Sequence, residues 1–167
     1  MEVSNPSSTS STVHVAPGKG QAVRMAGLQV LTLKVSGEQT SGAYSLFEVT
    51  VAPGGGDGLH VQHREDECFY VLEGRFEFVV EGSAVEAGPG SLIYVPKGNL
   101  HAFENVGGMT GRTLVSQTPG GVYEGFVEEI GEPVIDGSSL PAEEPTNPER
   151  LAAVGAQYGL EIVSSLP

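Results

Sequence analysis

A single cysteine, Cys68, no tryptophan, only eight basic residues and no long apolar run set the first limits on this chain of 167 residues. One thiol excludes a disulfide within the chain and a thiolate metal cluster. Eight scattered Lys and Arg against 21 Asp and Glu leave a formal net charge of −13. Such a chain repels a phosphate backbone, so no nucleic-acid partner is expected. No apolar stretch approaches the roughly 18 residues that a membrane helix needs. Met1 to Thr12 is Ser/Thr-rich and has neither the basic region nor the apolar core of a signal peptide. The expectation is a cytoplasmic protein with no membrane partner.

What the chain does have is glycine (24) and proline (11). That abundance suits many short strands joined by tight turns. Residues 1–12 read as a disordered leader. Gln29 to Val35 alternates and is rich in β-branched residues, and Tyr44 to Val51 follows after a Gly/Ser turn. Pro53 to Gly58 reads as an irregular loop. Cys68 to Glu73 and Arg75 to Glu81 form a hairpin about Gly74, with Phe76, Phe78 and Val80 on one face. Further short strands follow to Gln117. The spacing of the turns predicts an all-β sandwich or barrel over 13–131. Residues 132–167 read as a Pro- and acid-rich linker and a C-terminal helix packed on the barrel. Val122, Phe126 and Ile130 predict one short helix. Asn147, Pro148 and Gly159 bracket a second, with Leu151, Val154 and Tyr158 as its stripe.

Three of the four histidines, His60, His63 and His101, sit in or beside strand ends. Strand alternation puts His60 and Gln62 on one face and His63 on the other. Glu67, Phe69 and Val71 share a face of the next strand, and His101, Phe103 and Asn105 share one of a later strand. If these faces look into one barrel, His60, Glu67 and His101 converge among phenylalanines. Two imidazoles and a carboxylate suit Fe(II) and other first-row metals. His63 reaches such a point only through a bulge, and His14 reads as a surface residue. Cys68 points away from the Glu67 face and reads as core packing. Gly74 and Gly98 read as turn positions with positive φ, and Asn105 as a structural side chain that bonds a loop.

The punctuation of these segments resembles the cupin superfamily, whose motifs are G-x5-H-x-H-x3-4-E-x6-G and G-x5-P-x-G-x2-H-x3-N. Gly54, His60, Glu67 and Gly74 match the first, and Gly90, Pro96, Gly98, His101 and Asn105 match the second. The resemblance spans about residues 20–118, and the flanking segments also look like single-domain members similar to quercetin dioxygenases. It implies a cupin double-stranded β-helix (a jelly-roll barrel) with short C-terminal helices. It also implies one divalent ion, Fe, Mn, Ni, Co or Zn, held by His60, Glu67 and His101. The second histidine of the first motif is Gln62 here, which takes the fourth ligand place as a harder, weaker donor.

The resemblance implies a metal-dependent dioxygenase-type oxidoreductase acting on a small aromatic or enol-containing molecule, with Glu67 as general base. A carboxylate in an apolar pocket is expected to have a raised pKa. The alternatives are a cupin that binds a small molecule without turnover and a sugar isomerase or epimerase. The latter ranks last, because only Lys97 and Arg112 lie near the second motif to meet a phosphate. Members of this kind commonly pair as homodimers, and the strand Gln29 to Val35 is apolar enough to need a cover.

Overall fold

A computed structural model describes residues 11–134 and 147–163. The leader expected over 1–12 lies, apart from Ser11 and Thr12, outside the described residues. So do 135–146 of the expected linker and the last four residues.

The described residues form twelve strands and two helices. The strands in order are β1 (Gln21–Met25), β2 (Gln29–Val35), β3 (Ser45–Val51), β4 (Gly56–Gln62), β5 (Asp66–Glu73) and β6 (Phe76–Val80), then β7 (Ser83–Ala87), β8 (Leu92–Val95), β9 (Leu100–Asn105) and β10 (Gly111–Thr118). Helix α1 (Val122–Ile130) leads into β11 (Glu132–Pro133), and α2 (Pro148–Gln157) leads into β12 (Leu160–Ile162). The strands form two antiparallel sheets, ordered β11-β1-β2-β3-β10-β5-β8 and β12-β4-β9-β6-β7. This is the all-β architecture that the turn spacing predicts and, as two separate ladders, is consistent with the jelly roll that the resemblance implies. Among the described residues no helix is long and apolar enough to cross a membrane.

Inward positions follow the period of two. Ser45, Phe47, Val49 and Val51 are all buried along β3, as are Glu67, Phe69 and Val71 along β5. Four phenylalanines fill the space between the sheets. Phe78 stacks on Phe103 at 5.7 Å between centroids and meets Phe69 edge-on at 5.1 Å, while Phe76 lies 6.2 Å from Phe103.

Three expectations need correction. Gly56 to Gly58 do not lie in a loop; they open β4, and its pairing with β9 is interrupted by a bulge between Asp57 and His60. Glycine there reflects a close approach: a Cβ on Gly56 would lie 2.0 Å from the carbonyl oxygen of Phe103. Cys68 does face away from Glu67, but that face is the outside of the larger sheet. It lies half-buried opposite Tyr94 and Ser116. The linker begins with pairing, because Pro133 lies opposite Val23. The end of the chain was not foreseen as a strand: β12 pairs with β4 so that Ile162 lies opposite His60.

Gly74 and Gly98 take φ of 91° and 88°, as expected of those turns. Asn105, fully buried, donates to the carbonyls of Val51 (3.0 Å) and Met109 (2.8 Å) and accepts from the Gly107 amide (3.0 Å). Asn105→Ala strands these buried backbone groups. It is expected to cost about 1–3 kcal/mol in urea denaturation; a loss within experimental error would show that water replaces the side chain freely.

Candidate metal centre

The two sheets supply the site from opposite sides. His60 on β4 and His101 on β9 are direct cross-strand partners, their rings 4.1 Å apart. Glu67 comes from β5 of the other sheet. One potential ligand atom from each of His60, Glu67 and His101 lies within 4.8 Å of the others, and all three residues are buried. His101 Nε2 is 2.6 Å from Glu67 Oε2, and His60 Nε2 is 3.9 Å from the same oxygen.

Each imidazole is aimed by its own backbone. His60 Nδ1 bonds the carbonyl of Gly58 at 2.8 Å, and His101 Nδ1 bonds that of Asn99 at 3.0 Å. A carbonyl only accepts, so both Nδ1 atoms carry the proton. Both Nε2 atoms then point inward toward Glu67, the orientation in which metal-binding histidines offer a lone pair once that nitrogen gives up its proton. Gln117 on β10, directly across from Glu67, donates its Nε2 to Glu67 Oε1 at 2.5 Å. The carboxylate is thereby fixed at both oxygens.

Burial works to raise the Glu67 carboxyl, but the hydrogen bond and charge of His101, with those of His60, outweigh it and lower the pKa. This reverses the sequence expectation of a raised value: the pocket is apolar, but the carboxylate's nearest neighbours are imidazoles. For His60, burial opposes the charged form, yet the Glu67 carboxylate and then Asp57 prevail and raise the pKa. Without a cation the cluster therefore holds its own proton between carboxylate and imidazole. A metal ion and that proton compete for the same atoms.

The donor set fits a divalent first-row metal. Gln62, the fourth expected ligand, is buried on the His60 side of β4 and makes no hydrogen bond to the other three. Its Oε1 is buried without a hydrogen-bond partner. A buried carbonyl oxygen without a partner is a group in need of a cation or a donor. His63 is exposed and pairs with Glu161 of β12 at 2.8 Å, so it stands outside the cluster. His14 is exposed.

Several polar residues of the site were not singled out from sequence. Asp57 is bonded through its Oδ1 to the Gln29 amide, and burial raises its pKa despite the nearby His60. Asp57 and Gln29 line the interior beside Glu67, together with Gln117 and Tyr123. Tyr123 is placed by α1, whose first turn is pinned where the buried Glu65 carboxylate accepts the Tyr123 amide at 2.7 Å. Burial pushes that carboxyl up to about 7.

Comparison with known proteins agrees with this architecture. Residues 47–116 match the Cupin domain family. The chain is 30% identical over 127 residues to germin-like protein 3-8 of Oryza sativa subsp. japonica, covering 73% of this chain and 52% of that protein. It is 31% identical over 134 residues to quercetin 2,3-dioxygenase of Bacillus subtilis, covering 78% and 38%. The solved structure of the polyketide cyclase RemF from Streptomyces resistomycificus superposes with a TM-score of 0.57 at 29% identity, covering 65% of this chain and 80% of that one. The chain belongs to the cupin superfamily. It spans about half the length, or less, of these two curated relatives.

Proposed function

We propose that this protein is a metal-dependent cupin oxidoreductase of the dioxygenase type, acting on a small aromatic or enol-containing substrate. The observation that carries the proposal is the convergence of two imidazole nitrogens and one carboxylate oxygen, drawn from both sheets, at a buried point beside the phenylalanine core. In this reading His60, Glu67 and His101 hold one divalent ion, with Gln62 in the fourth place. The similarity to quercetin 2,3-dioxygenase supports a flavonol-like substrate by analogy. The bound ion supplies Lewis acidity toward a substrate oxygen. The chain does the rest. His101 and Gln117 orient the Glu67 carboxylate, Glu67 takes the proton of the enol or phenol hydroxyl, and Phe69 and Phe103 keep bulk water from the inner site. The test is elemental analysis followed by oxygen uptake over a flavonol panel, with the protein loaded in turn with Fe, Mn, Ni and Co. One ion per chain and oxygen consumption with at least one metal are expected. A fully loaded protein that consumes no oxygen with any of them is not a dioxygenase.

A second reading, a cupin that binds without turnover, draws on Gln62 standing where the first motif has its second histidine. Gln62→His separates the two. Replacing a neutral amide oxygen with imidazole is expected to tighten binding of Zn or Co by about tenfold or more, measured by competition with a chelator. If it also creates activity in a protein otherwise inert, the binding reading gains. A homodimer belongs to the same proposal, and elution as a monomer at micromolar concentration would refute it.

A further inference from the structure

Two spaces of different character lie beside the His60, Glu67 and His101 cluster. A cleft of about 210 Å³ opens beneath the C-terminal segment, with Met25, Phe126, Leu151 and Leu160 in its walls and His60 among its lining residues. A much smaller space of about 10 Å³ lies further in, beside Glu67 and Gln117. It admits one water-sized group. Asp57 and Tyr123 line both, so these two side chains stand between the outer space and the inner one.

The chemistry of that junction is one-sided. Gln29 gives its amide N–H to Asp57 and Gln117 gives its own to Glu67, which leaves the Oε1 atoms of both glutamines buried without a partner. With the Asp57 carboxylate, the inner space thus presents acceptors in want of donors. Tyr123 offers a hydroxyl of either sense. No lysine or arginine of the described residues lines either space. Asp57 and Glu67 already place two acidic side chains at this point, so an anion brought in would meet acceptors and no Lys or Arg donor in a desolvated site.

We infer that Asp57 and Tyr123 form the threshold of the ligand site, and that the site takes a small neutral molecule with an apolar body and O–H donors, not a carboxylate or phosphate. The body lies in the cleft against α1, α2 and β12, while one hydroxyl passes Asp57 toward Glu67. This narrows the substrate of the proposed function and rests on the same site. Asp57 acts as a ligand-binding residue that selects by charge and hydrogen-bond sense.

Calorimetric titration of manganese-loaded and metal-free protein with catechol, oxalate and inorganic phosphate tests it. Catechol is expected to bind saturably to both forms, more weakly without metal, and oxalate and phosphate are expected to bind at least tenfold less well than catechol. Asp57→Asn, matched in shape, is expected to shrink the catechol-to-oxalate ratio by about tenfold, the effect of removing a charged acceptor. Should that variant fail to fold by circular dichroism, Tyr123→Phe and the wild-type panel still decide. Oxalate binding tighter than catechol, or a ratio unchanged in a folded Asp57→Asn, overturns the assignment. Catechol that binds selectively but supports no oxygen uptake defeats the dioxygenase reading and leaves this one standing.

Discussion

Glu67→Gln is expected to abolish metal loading while leaving the protein folded. The substitution keeps the volume of the side chain, so the packing of β5 against β10 is undisturbed. It removes the carboxylate charge that faces both His60 and His101. The new amide presents an N–H group where Oε1 or Oε2 now accepts from Gln117 or faces His101. Losing a partner that merely orients a ligand weakens metal sites about 10–100-fold, and losing the only anionic ligand costs more than that. Metal stabilises the folded state by mass action, about 4 kcal/mol at a thousandfold excess over Kd. Wild-type protein is therefore expected to melt several degrees higher with manganese than without it. The variant should melt at one temperature in both conditions and purify without metal. An affinity within tenfold of wild type would mean that Glu67 is not a ligand, and the proposed centre would have to be redrawn.

How far the fold could be read from sequence depended on whether local pattern and tertiary pairing agreed. They agree over β3, β5 and β6, where alternation, β-branched residues and turn glycines all point one way. Asn147, Pro148 and Gly159 likewise fix α2, and Asn147 does accept the Arg150 amide. They disagree at Gly56 to Gly58, where composition argues for a loop. The strand there is imposed by β9 and tolerates no Cβ at Gly56. β11 and β12 are two and three residues long. Segments so short carry no periodicity, and their pairing with β1 and β4 is set by where the helices deliver the chain.

The site was legible to the extent that its residues obey strand parity. His60, Gln62, Glu67 and His101 could be placed on inward faces from alternation alone, and His63 on the outward one. Register put His60 opposite His101, which no single-strand pattern reveals. Gln117 and Gln29 did leave a signal. Each is a polar residue at an inward position next to an apolar one on the same face, Val115 preceding Gln117 and Leu31 following Gln29. A polar side chain in such a position requires a partner, and for Gln117 the partner is Glu67. Asp57 left none, because alternation counted back from His60 puts it on the outward face, and it is the bulge between the two that turns it inward. The pKa of Glu67 failed to follow from its apolar setting for a related reason: its immediate neighbours come from three other strands.

Phe78→Ala is expected to be the most damaging substitution outside the His60, Glu67 and His101 cluster. Phe78 is fully buried and touches Phe69, Phe76 and Phe103, which together fill the gap between the sheets. Truncation removes the transfer energy of the ring and leaves a void that rigid strands on both sides cannot close, a combined cost of about 3–5 kcal/mol. That is a large share of the 5–15 kcal/mol by which a domain is stable. The effect should also reach the site. Phe69 packs on Phe78 at 5.1 Å and sits 6.4 Å from the His101 ring, so a slackened Phe69 loosens one wall of the cluster. Chemical denaturation of the metal-free variant gives the stability term by itself, free of the metal's contribution. Phe78→Leu, which refills most of the space, is expected to recover more than half of the loss. A cost below about 1 kcal/mol for the alanine variant would show that the two sheets collapse onto the void, and the phenylalanine layer would then not be what holds His101 and Glu67 within reach of each other.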